Sequence, residues 1–145
     1  YEISLGLVGS EMCIRDSSVP QYPVFEGEKY VGLVYKYTLI DQKYKLFVMN
    51  DVLCDVEYQT DGSSNTMFRQ YLKNPKGFAF LRKVAMTYPT SKKRLIRDCI
   101  HYCSSSLIAG NKKYIVESPR KLLTVLCTPL GCILTSIIRK KAINN

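Results

Sequence analysis

Two acidic pairs carry residue types that could do chemistry. Glu26-Gly27-Glu28 sets two carboxylates beside a glycine, just ahead of an apolar stretch with helical spacing. Asp55-Val56-Glu57 sets two more on one face of a strand-like run, because alternate strand residues share a face. Either pair could hold a divalent metal or take a proton from a hydroxyl. The plainer alternative is a set of solvated acids favouring a helix start. The cysteines are less suggestive. Cys99-x3-Cys103 and Cys127-x4-Cys132 lack the C-x-x-C spacing of zinc and redox motifs, and His101 is the single histidine. Reduced cysteines packing as small hydrophobes fit that pattern better.

Part of the chain reads as foreign to the protein. Residues Leu7 to Ser17, LVGSEMCIRDS, match the translation of a transposase-type sequencing adapter over eleven consecutive positions in one frame. The preceding residues match the joined amplification primer and sample barcode, so residues 1–17 are expected to be non-native and are set aside. The full chain has 145 residues, six cysteines and net charge +9. Without the adapter, five cysteines remain, and 20 basic residues oppose 9 acidic ones, net +11. An adapter marks the end of a sequencing read, so the chain is expected to be a C-terminal fragment.

Charge then divides what remains. Residues 18–61 carry seven acids and four bases, whereas 62–145 carry only Asp98 and Glu117 against sixteen Lys and Arg. The turn signal Asp61-Gly62-Ser63-Ser64 is the natural boundary between these two regions. An excess of this size asks for an anionic partner. No recognition-helix, zinc-finger or RNA-binding sheet motif accompanies the basic residues, which speaks for a membrane surface and against nucleic acid.

Elements that must position the acids follow from periodicity. Tyr30, Val34, Tyr37 and Ile40 share a 3.6-residue face, predicting a short helix over 29–40. Residues 45–49 and 52–58 are β-branched and aromatic, predicting two short strands, as a hairpin or as edge strands. Residues 64–72 read as a helix, and Asn74 then caps another with Pro75 at its first position. Thr90 or Ser91 caps a third, closed by Gly110-Asn111, and Ser118-Pro119 opens a fourth.

Residues 122–138 are seventeen uncharged residues between Arg120-Lys121 and Arg139-Lys140-Lys141. At about 1.5 Å per residue they fall just short of a ~30 Å hydrocarbon core. Pro129 to Gly131 is expected to break the run in the middle. Those five cations are then the membrane-facing residues of a segment lying in or dipping into an interface. A full membrane span and a buried pair of core helices are the alternatives.

Four short motifs occur in a familiar order. Phe25-Glu-Gly-Glu-Lys-Tyr30 comes first, then Ile40-Asp-Gln-Lys-Tyr44, then Asn50 through Ser64, then Asn74-Pro-Lys-Gly-Phe78. Together they resemble the C-terminal part of family 2 glycosyltransferases, most closely bacterial members that build surface polysaccharides. The resemblance covers residues 22–80 well and the tail to 141 more loosely.

That resemblance implies an α/β parent fold, a Rossmann-like nucleotide-sugar transferase, with this part mostly helical plus the hairpin. It implies a nucleotide-sugar donor, a glycan or lipid-linked acceptor, and a divalent metal, magnesium or manganese, held by a D-x-D motif. It also implies that Glu28 is the carboxylate base, with Glu26 as its substitute, and that Asp61-Gly62 lies in an acceptor-side loop. Lys29 stands where the family often has Asp. The half carrying D-x-D is not in the chain, so no metal site, weak or no donor binding and no turnover by the chain alone are expected. The family places such an enzyme peripherally on the cytoplasmic face of the plasma membrane. The competing reading is a small non-catalytic basic module that binds anionic membrane or nucleic acid.

Overall fold

The computed structural model describes residues 19–29, 31–44 and 67–144. Among these, six helices form and no strand does. They are α1 (Val34–Ile40), α2 (Met67–Lys73), α3 (Pro75–Thr87), α4 (Lys92–Ile108), α5 (Tyr114–Glu117) and α6 (Lys121–Asn144). The expected mixture of helices with a hairpin is therefore corrected to a helical assembly among the described residues, in which apolar helix faces bury against one another and no sheet is present. The predicted hairpin at 45–58, with Asp55 and Glu57, lies outside the described residues, as do Asp61, Gly62 and residues 1–18.

Helix ends follow local chemistry. Ser91 adopts an extended conformation, and its Oγ accepts a hydrogen bond from the Arg94 N–H at 3.2 Å, starting α4. Gly110, with φ +70°, ends that helix. Its N–H donates to the Leu107 carbonyl and that of Asn111 to the Ser106 carbonyl, the paired bonds of a Schellman cap. Asn111 then closes the loop, accepting from the Lys113 N–H through Oδ1 and donating to Glu117 Oε2 through Nδ2.

The core lies where α4 packs against α3 on one side and α6 on the other. Met86, Cys99, Tyr102, Cys103, Tyr114 and Cys127 form its buried cluster. The α4–α6 seam is built from small residues. Cys99 Sγ lies 3.7 Å from Thr124 Oγ1, Cys103 Sγ donates to the Thr124 carbonyl, and Ser104 Oγ pairs with Thr135 Oγ1 at 3.0 Å. Contacts advance in the same direction along both chains, so α4 and α6 run parallel, with α5 on the return connection.

Gly131 sits at the closest approach. A Cβ there would stand 2.5 Å from the Cys103 Cβ and 3.3 Å from the Ser104 nitrogen. Gly131→Val should therefore lower stability by about 1–3 kcal/mol through overpacking, with a smaller offsetting gain in helix propensity than Ala would bring. Thermal unfolding followed by circular dichroism checks this, and an unchanged melting temperature would contradict so tight a seam.

Two sequence expectations are corrected. α6 runs unbroken from Lys121 to Asn144 through Pro129 and Gly131. Pro129 is on the exposed side and removes one helical donor, while packing of the opposite side against α4 carries the helix across the gap. In α1 the buried residue is Tyr35, whereas Val34 and Tyr37 are exposed. The reason is an aromatic contact: the Tyr35 ring meets Phe80 of α3 edge-on at 5.1 Å and Tyr22 at 5.8 Å.

Candidate functional site

Glu28 reaches its position through a tight turn. The Glu28 N–H donates to the Phe25 carbonyl at 3.1 Å, and Gly27 between them has φ +79°. Only glycine adopts that left-handed angle without cost, so the turn depends on it. Phe25 packs on Phe80, with ring centroids 5.9 Å apart, which holds the turn against α3.

The turn aims Glu28 at the start of α3. Its Oε1 accepts from the Lys76 N–H at 2.8 Å and its Oε2 from the Gly77 N–H at 2.7 Å. Pro75 has no N–H, and the Phe78 N–H donates to the Asn74 carbonyl. Every donor in the first turn of α3 is thereby accounted for. The carboxylate also meets the positive end of the helix dipole.

Asn74 is at the capping position, as the sequence predicts, yet its side chain does not cap. Its Oδ1 accepts from the Lys29 N–H at 3.0 Å, and its Nδ2 donates to Gln70 Oε1 at 2.9 Å. Glu28 has taken the capping role from a distance, and Asn74 fastens the neighbouring backbone to α2. The sequence signal for this exists only in retrospect: two polar motifs, each ready to satisfy the other. Glu26, one residue before Gly27, is exposed in the turn.

Beside this junction a cavity of about 220 Å³ opens between α3, α4 and the loop after α4. Phe25, Phe80 and Tyr102 supply aromatic walls, Lys76 and Lys83 supply cations, and Glu117 supplies a carboxylate. Ser106 also lines it, and its buried Oγ has no hydrogen-bond partner among the described residues. Sequence reasoning did not single out Phe80, Lys83 or Ser106. Each belongs to a helix whose pattern reads only as core or solvated face.

Below the site, Asp98 is 2% exposed and receives Arg82 Nη1 at 2.7 Å, with Arg97 Nε more distant at 3.9 Å. His101 is stacked near Tyr71 one turn along α4. Burial, reinforced by the Arg82 charge, pushes its imidazole down to about 4 from an ordinary 6.5. The unfolded chain therefore takes up the His101 proton first as pH falls. Stability that is full above about 6.5 is lost progressively as pH drops towards 4. His101→Phe, which keeps a ring beside Tyr71, should flatten the fall in melting temperature between pH 7 and 4.5. Parallel curves for the two proteins would contradict that assignment.

Cys99, Cys103 and Cys127 are free thiols in the core, and Cys132 is free and exposed. A hydrogen bond with Cys103, then burial, pushes the Cys99 thiol far above its usual range, and burial pushes Cys127 up to about 11. Cys99 and Cys127 therefore hold little thiolate and react poorly, whereas the hydrogen bond from Cys99 lowers the Cys103 thiol. Among the described residues no group of three or more His, Cys, Asp or Glu is placed to hold a metal ion. Arg120, Lys121, Arg139, Lys140 and Lys141 are exposed at the two ends of α6. The Lys141 ammonium also lies over the Phe68 ring at 5.0 Å.

No protein-family model, curated protein or solved structure matches this chain.

Proposed function

We propose that the chain is the acceptor-side, C-terminal part of an enzyme that moves a sugar from a nucleotide-sugar to an acceptor hydroxyl in surface-polysaccharide synthesis. One observation carries this reading. Glu28 and Lys29 of the first resembling motif bond directly to Asn74, Lys76 and Gly77 of the last, across 45 to 49 positions. Motifs that act as one device in a family are expected to meet in space, and these two do.

The chemistry asked of the site is proton removal. As the acceptor hydroxyl attacks the anomeric carbon it must lose its proton, and a carboxylate fixed in place is suited to receive it. Two backbone donors fix Glu28, and each of its oxygens keeps a further lone pair. The nearby cavity, which Lys76 lines and Glu28 does not, offers aromatic faces for a sugar ring, with two lysines and Glu117 as its charged groups. The expected magnesium or manganese finds no ligand group among the described residues. A donor made in the cytoplasm places the enzyme on the cytoplasmic face of the plasma membrane.

One observation favours the non-catalytic alternative: capping α3 is by itself a sufficient structural reason for Glu28 to sit where it does. The two readings part on turnover. An enzyme completed with a D-x-D-bearing donor half should lose turnover on Glu28→Gln, and the 145-residue chain alone should have none.

A further inference from the structure

We propose that α6 is an in-plane membrane anchor, whose outer face seats on an anionic lipid bilayer with the helix axis along the surface. The proposal is independent of the glycosyl-transfer reading. Leu122, Val125, Leu126, Leu130, Ile133 and Ile137 recur at helical spacing and are between 44% and 85% exposed. They form one stripe roughly 22 Å long at 1.5 Å per residue. An apolar patch of that extent on a free surface marks an interaction site. The opposite face, with Thr124, Cys127, Gly131, Thr135 and Ile138, is buried.

Charge identifies the occupant. α6 carries no acidic residue, and cations flank the stripe at both ends, Arg120-Lys121 and Arg139-Lys140-Lys141. A second copy is disfavoured in either orientation. Pairing parallel sets each cationic end against its equal, and pairing antiparallel sets the two different cationic ends together. Anionic headgroups meet both ends favourably, while the acyl boundary takes the stripe.

Packing decides between lying and crossing. By length and composition Lys121–Ile143 could cross a bilayer. Its inner face, however, is joined to α4 along the small-residue seam, which sets Cys99 beside Thr124, and at that level stand Arg97 and the buried Asp98 with its partner Arg82 of α3. Crossing would draw those charges into hydrocarbon or tear the seam apart. Lying in the plane requires neither.

Two measurements on the full chain test this. The first is sedimentation with vesicles of phosphatidylcholine alone or with about one-third phosphatidylglycerol. Binding should require the anionic lipid, weaken with salt, and fall about tenfold or more in Leu126→Glu/Ile133→Glu. Arg139→Glu/Lys140→Glu should weaken it as well. All four substituted positions are exposed, and circular dichroism checks that the variants remain helical. No vesicle binding, equal binding by these variants, or a solution dimer that sequesters the stripe would overturn the proposal. The second places an environment-sensitive fluorophore on Cys132, with Cys13 and Cys54 replaced by serine. Quenchers attached high on the acyl chain should outperform those at its end; the reverse order would mean that α6 crosses the bilayer.

Discussion

Arg82→Leu is expected to destabilise the protein by about 3–5 kcal/mol, a large share of the 5–15 kcal/mol typical of a whole domain. The loss does not come from the attraction between Arg82 and Asp98 alone. Asp98 is almost wholly buried, and its Oδ1 takes a 2.7 Å hydrogen bond from the guanidinium. Removing that partner leaves a carboxylate shut away from water, and the cost of its desolvation is then unopposed. Arg97 already stands 3.9 Å away with a side chain 59% exposed, so it can turn inward and bring the loss towards the lower end. The double substitution Arg82→Leu/Asp98→Leu should recover most of what the single one loses, because no charge remains buried. Urea denaturation of the three proteins checks this. A loss below about 1 kcal/mol for Arg82→Leu would mean that the pair behaves as an ordinary surface salt bridge. Arg82 also contributes to the lowered titration of His101, so its removal should return that histidine towards ordinary behaviour.

Local signals in the sequence are read correctly where a few adjacent residues decide the outcome. Asn74-Pro75 marks the junction of α2 and α3, Ser91 opens α4 through its own hydroxyl, and Gly110 closes it with a positive φ. What resists such reading depends on partners far along the chain. Nothing near Glu28 announces that its two oxygens will meet backbone donors 48 and 49 positions later. The break expected at Pro129 fails for the same reason. Continuity of α6 is enforced by α4, which packs on Thr124, Cys127, Gly131 and Thr135 and leaves the proline on the far side. In α1 the apolar spacing is consistent with more than one buried face, and the ring of Phe80 selects the one carrying Tyr35. The α/β expectation came from resemblance, and the described helices bury their faces without a sheet.

Glu28→Gln should have two separable consequences. The first is structural. Both carboxylate oxygens accept backbone N–H bonds, and glutamine offers one acceptor while turning its amide donor towards the other N–H. One donor at the start of α3 then loses its partner, at a cost of about 1–2 kcal/mol in stability. The second, on the proposed glycosyl-transfer reading, is chemical. An amide cannot take an acceptor proton, and losing a general base lowers turnover by about 10²–10⁴-fold. Asn74→Ala separates the two effects. It removes the Lys29 and Gln70 contacts and loosens the same junction, but leaves the carboxylate in place. Its loss of stability should resemble that of Glu28→Gln, and its turnover should stay close to normal.

The most direct test of the proposed function is therefore steady-state turnover of a nucleotide-sugar by this chain joined to a D-x-D-bearing donor half, comparing the unsubstituted protein, Glu28→Gln and Asn74→Ala at a temperature where all three are folded. Glycosyl transfer through Glu28 predicts a fall in kcat of about 100-fold or more for Glu28→Gln alone, with donor binding unchanged. Near-normal turnover in Glu28→Gln would contradict it and leave Glu28 as the cap of α3 and nothing more.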